Sequence, residues 1–159
     1  MKHANYFSFA ISFLIAGTAA ASAATISGSP ALALAGVVAA HSSILSPAQK
    51  KTVAAIFDGR GAGPYKEKII VTADKIVCLA GNVDITARSC ELTFGTKAET
   101  FTGRAANELY ATEIFAGVPS DGAAGKIYES VSKLTCTLDP KAIAQNDGGG
   151  ADCSYEAAN

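Results

Sequence analysis

The sequence predicts an α+β fold with short N-terminal helices, an antiparallel β-meander, two helices packed on one sheet face, a C-terminal β-hairpin and two disulfides. Short β-branched runs separated by turn residues fill the middle of the chain, and stretches of helical period lie before and after them. This order is typical of α+β domains, in which helices cover one antiparallel sheet. An even number of cysteines, four, follows an export signal, which indicates disulfides.

Residues 1–23 have the features of a cleavable signal peptide. Lys2 supplies a positive start, and the run from Phe7 to Gly17 is apolar but too short to cross a bilayer. Ala21-Ser22-Ala23 is the small-x-small pattern that precedes the cut. We therefore expect export to the periplasm or the extracellular space, without stable insertion in a membrane.

The next segment, residues 24–45, is predicted to be an N-terminal apolar leader or a short helix, ahead of a single α+β domain over residues 46–159. Ser29 as N-cap and Pro30 at the first helical position favour a helix. Gly36 and the lack of a polar face argue against a stable surface helix. The sequence leaves both alternatives open.

A clearer helix is predicted from Ser46 to about Asp58. Ser46-Pro47-Ala48-Gln49 is a capping box, and Val53, Ile56 and Phe57 share one helix face. The glycine-rich run 59–63, followed by proline, ends the helix and leads into the sheet.

Four short runs are then predicted as strands of an antiparallel meander. They are residues 68–79 with a break at 74–75, residues 82–86, residues 90–94 and residues 99–102.

After Gly103 the period returns to that of a helix, which ends near Pro119. Its apolar stripe contains Ala106, Leu109, Tyr110 and Ile114, and its polar side contains Arg104, Glu108 and Glu113. A shorter helix is predicted from Ser120, with Ile127, Tyr128 and Val131 on its apolar face. Residues 133–156 form the final hairpin.

The cysteines are predicted to form two structural disulfides. They are Cys78, Cys90, Cys136 and Cys153. Export favours oxidation, and the lack of a Cys-x-x-Cys pair argues against a zinc site or a redox motif. A hairpin that sets Cys136 opposite Cys153 also sets Leu134 opposite Tyr155, which favours this pair and leaves Cys78 with Cys90. A strand at 82–86 would separate Cys78 from Cys90, so the pairing stays open at this point.

Composition and motifs argue against several function classes. The formal net charge is −1 and no basic run is longer than Lys50-Lys51, so no nucleic acid is expected as a partner. Gly125-Lys126 is followed by Ile127 where a P-loop needs Ser or Thr, and no cofactor is predicted. After signal cleavage His41 is the sole histidine, and no Gly-x-Ser-x-Gly motif of a hydrolase is present.

What remains is a non-catalytic binding role, with an envelope or secreted protein or a small molecule as the ligand. Tyr and Arg are enriched where proteins bury partner surface, and the candidate contact residues are Arg60, Tyr65, Arg88 and Arg104. In size, export signal, disulfides and order of elements the chain is similar to small secreted proteinaceous inhibitors. The alternatives are a hydrolase that acts on an envelope polymer and a structural protein.

Overall fold

The computed structural model describes residues 23–61, 63–83, 86–118, 127–145 and 149–157. Within these ranges seven strands form one antiparallel sheet and four helices accompany it, which confirms the predicted fold class. The elements are β1 (Ala23–Ser27), α1 (Ser29–His41), α2 (Pro47–Phe57), β2 (Ile69–Ala73), β3 (Lys75–Ala80), β4 (Ala87–Phe94), β5 (Lys97–Thr102), α3 (Gly103–Phe115), β6 (Ile127–Leu138), α4 (Pro140–Ala144) and β7 (Ala151–Ala157).

The sheet has the strand order β1-β7-β6-β3-β4-β5, and β2 also pairs with β6. β2 and β3 follow one another along the same edge of β6 and are interrupted at Asp74, where the sequence predicts a break. The Asp74 backbone N–H donates to the Thr93 carbonyl, and its carboxylate accepts the Gly95 N–H. The Asp74 side chain thus joins the break to the β4–β5 turn.

The predicted strand at residues 82–86 is not formed by the described residues of that segment. Asn82, Val83 and Thr86 lie in the connection between β3 and β4, and Asp84 and Ile85 fall outside the described residues. The Gly81 N–H donates to the Thr86 carbonyl over 2.8 Å, which holds the two ends of the connection together. β3 therefore pairs directly with β4.

The short helix predicted after residue 120 is corrected over its second half. Residues 127–131 begin strand β6, where Tyr128 pairs with Cys78 and Val131 with Ile76 of β3. Residues 119–126 lie outside the described residues. The apolar positions fit a helix locally, but pairing with a distant strand decides the conformation.

Helix α1 shows that the helical alternative for residues 24–45 is the one adopted. Ala31, Leu34, Ala35, Val38 and Ala39 are at most 1% exposed. The helix packs on the sheet beside α3 and is also contacted by α2, which explains why it has no polar face. Ahead of it, β1 pairs with β7 from Ala23 opposite Glu156 to Ser27 opposite Asp152. Residues 1–22, nearly all of the signal peptide predicted over residues 1–23, lie outside the described residues.

Helices α2 and α3 follow the sequence signals closely. The Gln49 N–H donates to Ser46 Oγ and the Ser46 N–H donates to Gln49 Oε1, so the predicted capping box is confirmed. In α3 the stripe of Ala106, Leu109 and Tyr110 is buried. Glu113, predicted on the polar side, is 1% exposed and corrects that prediction. Its carboxylate lies 3.9 Å from the Cys78 sulfur, since this end of α3 packs over the sheet.

Both favoured disulfides are confirmed. Cys78 is bonded to Cys90 and Cys136 to Cys153, and each pair is directly opposite in neighbouring strands. All four residues are at most 2% exposed, so the bonds lie in the core and tie β3 to β4 and β6 to β7. None of the helices in the described ranges is long and apolar enough to span a membrane.

Strand alternation divides the sheet into two faces of different character. Ile69, Val71, Leu92, Leu134 and Leu138 point to the face covered by α1 and α3 and are fully buried. The residues between them point to the opposite face, on which no helix packs within the described part of the chain. We call this second surface the open face.

Candidate binding groove

A groove of about 280 Å³ lies in the helix layer, between α1, α2 and the first half of α3. Val37 and Ala40 of α1 and Val53, Ala54 and Phe57 of α2 form its apolar floor. The sequence places Phe57 on the apolar face of its helix with Val53 and Ile56, yet Phe57 is 51% exposed. Large apolar side chains that stay exposed inside a concavity are typical of interaction sites.

The position of Phe57 depends on Gly36 in the facing helix. A Cβ atom at position 36 would lie 2.1 Å from Phe57 Cε2 and 2.4 Å from Phe57 Cδ2. The ring therefore rests directly on the α1 backbone, which only a glycine permits. Gly36 lowers the helix propensity of this segment, but it also allows α2 to pack close to α1.

The rim of the groove is polar and largely neutralised in pairs. Asp58 pairs with Arg60, and Glu108 accepts a hydrogen bond from Arg104 Nε over 2.6 Å. This hydrogen bond and the charge of Glu108 raise the pKa of Arg104. Lys50 also lines the groove, and it has no ion-pair partner among the residues that the structure describes.

His41, the last residue of α1, lies at one edge of the groove. Its ring packs against Phe101 with a centroid separation of 4.1 Å and an interplanar angle of 43°. The described residues that line the groove include no Ser, Thr or Cys. The groove as described therefore provides no nucleophile that His41 can activate.

The four predicted contact residues lie at different distances from this groove. Arg60 and Arg104 belong to its rim through their carboxylate partners, which both line it. Tyr65 is partly buried against the core, and its N–H donates to Thr52 Oγ1 over 2.9 Å. Arg88, on β4, donates to Asn82 Oδ1 over 2.6 Å. Neither Tyr65 nor Arg88 lines the groove.

The sequence does not reveal the floor of the groove. Its pattern assigns Phe57 to the apolar face of a helix, and it leaves the conformation of the segment that contains Val37 and Ala40 undecided. The available signal was the apolar run of residues 31–40, because a helix without a polar face requires a second helix to cover it. A groove forms along the line where the surfaces of two such helices meet.

The described residues contain no group of three or more His, Cys, Asp or Glu side chains positioned to hold a metal ion. Comparison with protein families, with curated proteins and with solved structures finds no match to this chain.

Proposed function

We propose that this chain is an exported, disulfide-stabilised, non-catalytic domain that binds a partner protein through the helix-side groove. The observation that carries the proposal is the half-exposed Phe57 ring on an apolar floor with a polar rim. Interfaces concentrate binding energy in aromatic residues of this kind, and the polar rim around them limits access of water.

Two features support export. Residues 1–23 have the pattern of a signal peptide, and the two buried disulfides are of the kind that persists in the oxidising compartments such a peptide leads to. Cleavage after Ala23 falls at the first residue of β1 and leaves Ala24–Ser27 paired with β7. The sheet thus keeps its first strand after processing.

The open shape of the groove favours a protein segment over a small molecule. Sites for drug-sized ligands commonly measure about 300–1,000 Å³ and enclose most of the ligand. This groove, at about 280 Å³, is near the lower end of that range and is open to solvent, so it suits one or two side chains that protrude from a protein surface. The rim carboxylates, Asp58 and Glu108, are already paired with arginines, whereas Lys50 has no ion-pair partner among the described residues. We therefore expect the partner to place an apolar side chain on the floor of the groove and an acidic side chain next to Lys50.

The hydrolase alternative has less support. A Ser-His-Asp site requires a nucleophile within hydrogen-bond distance of the histidine, and the described lining of the groove offers none beside His41. A binding role requires no such group.

The test places a photoreactive phenylalanine analogue at position 57 or, as a control, at position 115. Phe115 is 74% exposed on α3 and does not line the groove. Irradiation of cells that express the chain should give a discrete adduct from position 57 alone. The adduct is identified by mass spectrometry, and the partner is then purified and titrated against the wild-type chain.

Phe57→Ala should weaken binding of the purified partner about thirtyfold or more, because truncation of an aromatic residue that anchors an interface costs about 2 kcal/mol or more. Phe115→Ala should change it less than twofold. Equal adducts from both positions, or equal affinities of the two variants, would refute the groove as the binding site. Binding of a small molecule in place of a protein would refute the assignment of the partner.

A further inference from the structure

The open face of the sheet has a regular arrangement of hydroxyl groups on four adjacent strands. The register places Thr25 of β1 opposite Ser154 of β7, Ser154 opposite Thr135 of β6, and Thr135 opposite Thr72 of β2. These four side chains form one row across the strands. We call it the first hydroxyl row.

A second row runs beside the first. It consists of Ser27, Asp152, Thr137 and Ile70, which are opposite one another in the same four strands. Neighbouring strands are about 4.8 Å apart, and residues i and i+2 of a strand are separated by about 6.7 Å. Each row therefore spans about 14 Å, and the two rows together form a grid.

The hydroxyls of this grid are available to a ligand. Thr25, Ser27 and Ser154 are exposed, and Thr72, Thr135 and Thr137 are half-buried. Within the described part of the chain, none of these six side chains makes a hydrogen bond to another protein group. A shallow depression of about 350 Å³ covers five of them together with Asp152.

The charge of this region is small, a net −1 from Lys133, Glu156 and Asp152. Lys133 and Glu156 are directly opposite one another beside the first row, on the same face, so their charges offset. Asp152 contributes one carboxylate within the second row, and a carboxylate accepts hydrogen bonds from hydroxyl donors. A ligand complementary to this grid is uncharged and carries many hydroxyl groups.

We propose that the two rows bind a neutral polysaccharide chain that lies across strands β1, β7, β6 and β2. The separation between neighbouring hydroxyls along a row is close to the length of one sugar unit in an extended chain. Serine and threonine hydroxyls both donate and accept hydrogen bonds, as sugar hydroxyls do. The Asp152 carboxylate can accept hydrogen bonds from two hydroxyl groups of the sugar. Ile70, 47% exposed at the end of the second row, provides an apolar contact for the C–H face of a sugar ring.

The rows suit this ligand better than they suit a protein or a nucleic acid. None of the eight residues in the two rows is aromatic or basic, whereas protein interfaces rely on aromatic anchors and nucleic acid sites rely on cations. The rows lie on the opposite side of the sheet from the groove. A negative result for saccharide binding would therefore leave the proposed binding of a protein at the groove untouched, and the reverse also holds.

The test is a titration of the isotope-labelled, disulfide-intact protein with cellohexaose, chitohexaose or laminarihexaose, up to millimolar concentration and followed by NMR. At least one of the three should shift the amide signals of β1, β6 and β7 around the rows. Thr135→Val and Ser154→Ala, which each remove one hydroxyl, should weaken binding about fivefold. Asp152→Asn should weaken it about tenfold or more, because hydrogen bonds to a charged group are stronger.

Thr100→Val is the matched control, because Thr100 is exposed on the open face but lies on β5, outside the rows. It should leave the affinity within twofold of wild type. The proposal is overturned if none of the three saccharides shifts the signals of the rows, or if Thr135→Val binds as tightly as wild type. Concentration-dependent shifts of the same signals without saccharide would also overturn it, since they identify a second copy of the chain as the occupant.

Discussion

Leu34→Ala tests whether the segment before the capping box belongs to the core, which the sequence left open. Leu34 is fully buried in α1, within the main hydrophobic cluster. The substitution removes three carbon groups worth about 0.8 kcal/mol each, or about 2.4 kcal/mol of transfer free energy. The cavity that remains adds about 1 kcal/mol, because neighbours in a packed core collapse only in part. The expected loss in the free energy of unfolding is therefore about 3 kcal/mol.

Urea unfolding of the disulfide-intact protein, followed by circular dichroism, measures this loss. The midpoint should fall while the denaturant dependence stays constant, as for a pure change in stability. Ile44→Ala provides the control, since Ile44 follows α1 but is 59% exposed and should cost less than about 0.5 kcal/mol. A loss below about 1 kcal/mol for Leu34→Ala would refute the assignment of α1 to the core.

Three further predictions concern a disulfide, a helix cap and the groove. Replacing both Cys136 and Cys153 by Ala should lower the free energy of unfolding by about 3 kcal/mol in urea, because the bond closes a loop with a sequence separation of 17. The Asp139 carboxylate accepts backbone N–H groups at the start of α4, chiefly that of Ala142, and this lowers its pKa below the usual value of about 3.9. The ionised Asp139 carboxylate therefore stabilises the fold at pH values above about 3.9, and this contribution is lost as the pH falls through the lower pKa of the folded state. The difference in the free energy of unfolding between wild type and Asp139→Asn should accordingly narrow below about pH 4. Gly36→Ala should displace the Phe57 ring, seen as a change in its NMR signals, with a stability loss below about 1 kcal/mol, because a half-exposed ring can move into solvent.

The sequence predicts features whose signals are local. The capping box at Ser46 requires only residues within one helical turn, and both of its hydrogen bonds form. The pairing of Cys136 with Cys153 followed from alternation in a hairpin, and Leu134 is opposite Tyr155 as that register requires. In such cases residues that are close in sequence determine the local structure.

The sequence does not predict features that depend on contacts with residues far away along the chain. β1 is a five-residue edge strand whose partner, β7, lies at the other end of the chain, so no local period identifies it. The start of β6 has apolar spacings compatible with a helix, and its pairing with β3 overrides them. Glu113 is polar by type but buried by its position over the sheet, which only the packing of α3 determines.

The two proposed surfaces have a common origin in the alternation of the strands. Every apolar residue that a strand directs toward α1 and α3 builds the core, and the helix layer above it leaves the groove between α1 and α2. The residues between them must then face away from the helices, and in four adjacent strands most of these are Ser or Thr. Since the buried disulfides and core separate the surfaces, a substitution on the groove and one on the rows share no contacting residues. A substitution on one surface should therefore leave binding at the other unchanged, so each surface can be assigned its own ligand.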